Sequence, residues 1–220
     1  MIDLYHRPGS AAMAPHIVLQ ALALPHRLVP VDTAAQAHKT PAYLALNPNG
    51  LVPVLVDHGA DGGPLVLYEA AAICLYLADA HPEAGLMPPV GSVARARATQ
   101  WLVWLTNTLQ ATLIHFFYPE RLVDASDTAA AAQVRRAVEA RVGTLLDQIE
   151  TQLASQPGPW LLGAGFGVVD IYTMMLCRWT RNFARPARSL PHTGAYLQRV
   201  LARPEVRRVF EIEQLAEPWV

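Results

Sequence analysis

Hydrophobic residues recur with a period of two only in the first third of the chain, and with a helical period nearly everywhere beyond it. "IDLYH" (Ile2–His6) and "RLVPV" (Arg27–Val31) read as short strands flanking a helix over Ala11–Leu24. A short helix over Pro41–Leu46 ends at "NPNG". "VPVLVD" (Val52–Asp57) and "PLVLY" (Pro64–Tyr68) flank the glycine-rich "HGADGG", as the arms of a hairpin do. A helix over Glu69–His81 follows. The order β-α-β-α-β-β-α predicts a mixed sheet with helices on its faces.

Between His81 and Ser92 the pattern breaks, with three prolines and two glycines in "HPEAGLMPPVGS". This divides the chain into an α/β domain over residues 1–81, a linker over 82–92 and an all-helical domain over 93–220. In the second domain Arg95–Phe117 reads as one long helix and Ala129–Ala154 as another. Trp104, Thr108, Ala111 and His115 recur at helical steps and are expected to share one face. "FGVVDIYTMMLCRWT" (Phe166–Thr180) opens a third, buried helix. With Gly167 as N-cap, Asp170 falls at N3, and Phe166 and Ile171 take the two positions of a hydrophobic staple.

Composition narrows the function classes. The chain has 220 residues, 52% hydrophobic and 16% charged, which describes a folded, soluble protein. A formal net charge of -1 without a basic run argues against nucleic acid as a partner. No apolar stretch approaches the roughly 20 residues that span a bilayer, and no signal peptide precedes the first strand, so no membrane partner and a cytoplasmic location are expected. The two cysteines, Cys74 and Cys177, lie far apart in apolar helices and read as buried free thiols. No His or Cys spacing suggests a metal.

Four segments in this order, "LYHRPGSAAMAPHIVLQ", "HKTPAYLALNPNGLVPVLVD", "LYEAAAICLYLAD" and "GFGVVDIY", resemble the cytosolic glutathione S-transferase family, nearest to its bacterial beta-like classes. The resemblance spans nearly the whole chain. It implies a thioredoxin-like N-terminal domain, an all-α C-terminal domain, glutathione as co-substrate and a homodimer. It also implies a cis bond at Val52-Pro53, with the Val52 backbone pairing with the cysteinyl part of glutathione. A proline at that point otherwise reads as a strand start, where its missing donor does no harm. Glu69 and Ala70 open a helix, whose N–H groups suit a carboxylate while Glu69 suits an ammonium, and the γ-glutamyl end of glutathione carries both. Ala70 departs from the usual Ser and loses a hydroxyl contact. The resemblance places His38 and Lys39 at the glycyl carboxylate. Leu51 stands where some relatives have a polar side chain.

Attack by glutathione needs no thiol from the protein, only a donor that stabilises the ligand's thiolate against a free pKa near 8.5. Beta-class relatives resemble "CS" where this chain has Ala11 and Ala12, so exchange through a protein thiol is not expected. The catalytic candidates are Ser10, which reads equally as a helix N-cap, and Tyr5, which reads equally as a packed strand side chain. His6, where relatives often carry a second tyrosine, reads as a structural histidine. A small hydrophobic electrophile is expected between the first turn and the long helix, where Trp104, Asn107, Thr108, Gln110, Ala111 and His115 are wall candidates. The resulting expectation is a detoxifying glutathione transferase whose activated thiol attacks a small electrophile or a peroxide. A non-catalytic glutathione-binding scaffold and a carrier of hydrophobic ligands are the alternatives, favoured by Ala11, Ala12, Ala70 and Leu51.

Overall fold

The structure is a computed structural model describing residues 1–163 and 165–220. In chain order its first elements are β1 (Ile2–His6), α1 (Met13–Ala21), β2 (His26–Pro30), α2 (Pro41–Leu44), β3 (Val54–Asp57), β4 (Leu65–Tyr68) and α3 (Ala70–Ala80). The helices α4 (Val93–Trp104), α5 (Ala111–Phe117), α6 (Thr128–Ser155), α7 (Val168–Trp179), α8 (Pro191–Leu201) and α9 (Pro204–Ile212) follow. They form two compact units: Met1–Met87 with Leu201–Ala216, and Pro88–Val200 with Glu217–Val220. The sequence pattern groups Leu201–Ala216 with the second half, whereas here it packs in the first unit. The reason is the apolar stripe Val206, Val209 and Phe210 of α9, which is buried as α9 packs against α1.

In the first unit the strand order is β2-β1-β3-β4. β1 runs parallel to β2 and antiparallel to β3, with Leu4 opposite Leu28 and Leu55. Strand alternation assigns opposite faces to neighbouring residues. Leu4 and His6 lie on one face; Tyr5 lies on the other, with the cluster of Val31, Tyr43, Val54 and Val56. Leu4, Ile17 and Leu55 are fully buried, each contributing about 1.5–3 kcal/mol. The four expected strands form; β3 begins at Val54, after a proline that has no N–H to give to a ladder.

In the second unit the expected long helix over Arg95–Phe117 is α4 and α5 joined by a π-helical stretch, Leu105–Gln110. That stretch departs from the 3.6-residue period, so Trp104 and His115 are not related by simple α-helical steps. Asp127 caps α6 by accepting the Ala130 N–H at 2.8 Å. Glu150 of α6 reaches the start of α8, accepting the His192 and Thr193 N–H groups at 2.9 and 2.8 Å.

α7 is buried along its length and opens where the sequence places it. Asp170 Oδ2 accepts the Gly167 N–H at 3.0 Å, while Oδ1 accepts from Leu161 N–H and Tyr196 Oη, both at 2.9 Å. Burial pushes the Asp170 carboxyl up to about 6 against the pull of these donors. Phe166 packs edge-on against Trp160, with ring centres 4.9 Å apart. Cys74 and Cys177 are buried free thiols, Cys177 pushed up to about 12 by burial and Cys74 higher still.

Candidate functional site

β1 hands over to α1 through the turn Arg7-Pro8-Gly9-Ser10. Gly9 has φ +70, the left-handed region that favours glycine. The Ser10 hydroxyl donates to the Arg7 carbonyl at 2.6 Å and accepts the Ala12 N–H at 3.2 Å. The hydroxyl proton is thus directed at a carbonyl; Ser10 is not the N-cap of α1, which is Ala12, but ties together the turn before it. Among the described residues no acceptor takes the Ala11 N–H. Tyr5 is half-buried on the sheet face away from His6, its ring edge-on to Tyr43 at 6.0 Å.

The Val52-Pro53 bond is cis. The preceding Leu51 carbonyl is held from within the unit by Tyr43 Oη at 2.9 Å and Asn47 Nδ2 at 2.8 Å. Among the described residues neither the N–H nor the carbonyl of Val52 has a partner. A backbone pair beside the sheet is thus available to an extended ligand.

Glu69 precedes α3 with φ +71 and ψ 109, and its exposed side chain caps nothing. The first intrahelical bond at this end runs from Ile73 N–H to the Glu69 carbonyl at 3.0 Å. The N–H groups of Ala70, Ala71 and Ala72 precede it, and together they form a donor set for a carboxylate.

His38 and Lys39 sit in a single helical turn before α2. His38 Nδ1 is buried without a partner, and burial, then Lys39 and Arg7, push its imidazole below the usual range. Lys39 Nζ bonds the Asn49 and Gly50 carbonyls at 3.3 and 3.2 Å. It therefore closes the "NPNG" loop as well as carrying charge.

Two residues were not legible as part of this region. Arg7 adds a second cation, beside Lys39, near His38; its place directly after β1 was the available signal. Glu213 Oε2 accepts the Gly9 N–H at 2.8 Å, and its Oε1 meets His16 Nδ1 at 2.8 Å. Glu213 lies 204 residues from Gly9, and no local pattern announces it. In the second unit Asn107, Thr108 and Gln110 fall in the π-helical stretch, where the buried Tyr172 hydroxyl donates to Gln110 Oε1 at 2.5 Å. His115 lies on α5 with a buried, unpartnered Nδ1.

Residues 10–80 match the glutathione S-transferase N-terminal domain and residues 114–211 the glutathione S-transferase C-terminal domain. The chain belongs to the glutathione S-transferase family. It is 30% identical to a glutathione S-transferase, GstA, of Escherichia coli O157:H7, over 97% of this chain and all of that one. It is 31% identical to a disulfide-bond oxidoreductase, YfcG, of Escherichia coli K12, over 99% of this chain and 98% of that one. Among solved structures, a glutathione transferase homolog from Sulfitobacter with bound glutathione superposes with a TM-score of 0.85 at 28% identity, covering 98% of this chain and 99% of the other. Among the described residues no helix is long and apolar enough to cross a membrane.

Proposed function

We propose that this protein is a glutathione transferase that binds glutathione along its first unit and activates the thiol for attack on a small hydrophobic electrophile. The observation that carries the reading is Val52: its two backbone groups are unpartnered while the adjacent Leu51 carbonyl is turned inward and held. In this family member the cysteinyl part of glutathione pairs there, beside the cis Val52-Pro53 bond. The γ-glutamyl carboxylate takes the Ala70 end of α3, and its ammonium takes Glu69. His38, Lys39 and Arg7 attract the glycyl carboxylate.

The sulfur lies at the first turn of α1, in the field of its free N–H groups. With the Ser10 proton on the Arg7 carbonyl, the donor assigned to sulfur is the Ala11 N–H, and Ser10 serves by holding the turn. Tyr5 is second to it, because its ring packs on Tyr43. The thiol gives its proton to solvent. The thiolate then displaces a leaving group such as chloride, or adds to an activated alkene whose carbanion takes a proton from water. A homodimer, a cytoplasmic location and a role in detoxification complete this reading.

The test is a pH titration of thiolate absorbance for glutathione in the presence of protein, with turnover of a dinitroaryl chloride. Bound thiol titrating well below the free value, with formation of the aryl thioether, is the expected result. Binding without a shift in thiol titration supports the non-catalytic scaffold. Reduction of a small disulfide by glutathione, which is oxidised to its own disulfide, without reaction of the aryl chloride assigns the disulfide chemistry named for one relative.

A further inference from the structure

His6 ends β1 with its side chain 7% exposed, and its Nδ1 is buried without a hydrogen-bond partner. Its ring centre lies 6.3 Å from that of His16, on the α1 face of the sheet. His16 Nε2 is likewise buried and unpartnered, while its Nδ1 meets Glu213 Oε1 at 2.8 Å with both side chains fully buried. The other Glu213 oxygen holds the Gly9 N–H at 2.8 Å. One carboxylate therefore ties His16, the imidazole beside His6, to the turn from which α1 starts.

We propose that His6 is a proton-linked positioning residue: when it gains a proton it competes with Gly9 N–H and His16 for Glu213, and so loosens the turn that presents the Ser10 and Ala11 backbone. This inference rests on the proposed glutathione site for its catalytic consequence, but the structural coupling stands without it.

A neutral imidazole tolerates one unpartnered acceptor nitrogen. A buried imidazolium does not, because both nitrogens become donors and the charge is out of water. Burial pushes His6 below the ordinary imidazole range, Glu213 pulls it back up, and His16 adds to the lowering. On α9, Arg203 pairs with Glu205, Arg207 donates to the Leu201 carbonyl and Arg208 pairs with Glu211, and the charged groups of the neighbouring strands are likewise engaged elsewhere. Arg27 of β2 is bonded to Asp3, Asp57 of β3 accepts from Tyr76, and His26 of β2, edge-on to His16, pairs with the Leu24 carbonyl. Glu213 is the carboxylate that answers a proton on His6.

The experiment is an NMR titration of glutathione-free protein, following the His6 ring and the Gly9 amide from neutral to mildly acidic pH. The Gly9 amide is expected to move with the His6 ring, below the ordinary imidazole range, and to lose that titration in His6→Phe and His6→Gln. A Gly9 amide that does not follow His6 in the wild type overturns the proposal whatever the variants do. So does a Gly9 titration that persists in a folded variant, since the proton then belongs to His16 or Glu213. In parallel, glutathione affinity of the wild type is expected to fall several-fold on acidification, with the fall diminished in His6→Gln. Failure to bind glutathione at any pH refutes the proposed function, and the Gly9 titration then decides the role of His6 by itself.

Discussion

Replacing Ser10 with alanine separates a turn-holding hydroxyl from a catalytic one. The variant removes the 2.6 Å bond to the Arg7 carbonyl and the 3.2 Å bond from Ala12 N–H. Loss of a helix-starting hydroxyl costs about 0.5–2 kcal/mol of stability, and a chain of this size loses about 2–4 °C of Tm per kcal/mol. The thiolate titration of bound glutathione then stays within about half a unit, because the Ala11 N–H remains and Glu213 still holds the turn through Gly9; half a unit is about 0.7 kcal/mol. Were the hydroxyl the sulfur donor instead, its removal would delete a hydrogen bond to a charge, worth about 1.5–3 kcal/mol. At 1.36 kcal/mol per unit that raises the bound thiol by about 1–2 units. The assay is thiolate absorbance against pH, run beside thermal unfolding of the same preparation. An unchanged Tm with a rise of one to two units (~1.4–2.7 kcal/mol) refutes the backbone-donor assignment.

Three further outcomes follow from particular geometry. Gly50→Ala places a Cβ 2.8 Å from both the His38 carbonyl and Lys39 Nζ at a φ of +58, so a loss of about 1–3 kcal/mol and weaker glutathione binding are expected by denaturant titration and calorimetry. Gly165→Ala, which meets nothing within 4 Å, is its control and should stay within about 0.5 kcal/mol. Asp170→Ala leaves Leu161 N–H, Gly167 N–H and Tyr196 Oη without their acceptor, and is expected to cost about 3 kcal/mol or more in chemical denaturation. The wild-type Asp170 carboxyl titrates at about 6 when folded, against 3.8 as its ordinary value. Its contribution is therefore present below pH ~4 and lost as pH rises through ~6, by up to ~3 kcal/mol; Asp170→Asn should remove that slope from stability measured against pH.

Much of the fold was legible because the period of its hydrophobic residues matches its elements. β1, β3 and β4 fall within a residue or two of the expected bounds, and Asp170 at N3 located the start of α7. Leu201–Ala216 lies in the first unit although the sequence pattern groups it with the second half, because an amphipathic helix announces that it has a buried face and says nothing about which unit covers it. Likewise the π-helical stretch at Leu105–Gln110 leaves no mark in a pattern that tolerates one extra residue per turn. Of the proposed site, the residues in continuous segments (His38, Val52, Pro53, Glu69, Ala70) are ones that spacing and resemblance could name. The direction of a hydroxyl proton and a contact 204 residues away could not.

The turn at Gly9 fits the proposed sulfur site even though Ala11 and Ala12, just before the first helical turn, bring no thiol or hydroxyl. A backbone N–H is present whatever the side chain, so alanine removes a thiol or hydroxyl without removing the donor. What such a donor requires is a fixed direction, and an N–H on a turn has that only if the turn is held. Here Ser10 ties the turn to Arg7 from inside, and Glu213 ties it to the end of α9 through Gly9. The two ties act on neighbouring residues, so they are expected to couple: Ser10→Ala combined with Glu213→Gln should lose more stability than the separate losses added together. Strict additivity in that double-mutant cycle would mean that the two ties act independently, and the direction of the Ala11 N–H would then rest on one of them and not on both together.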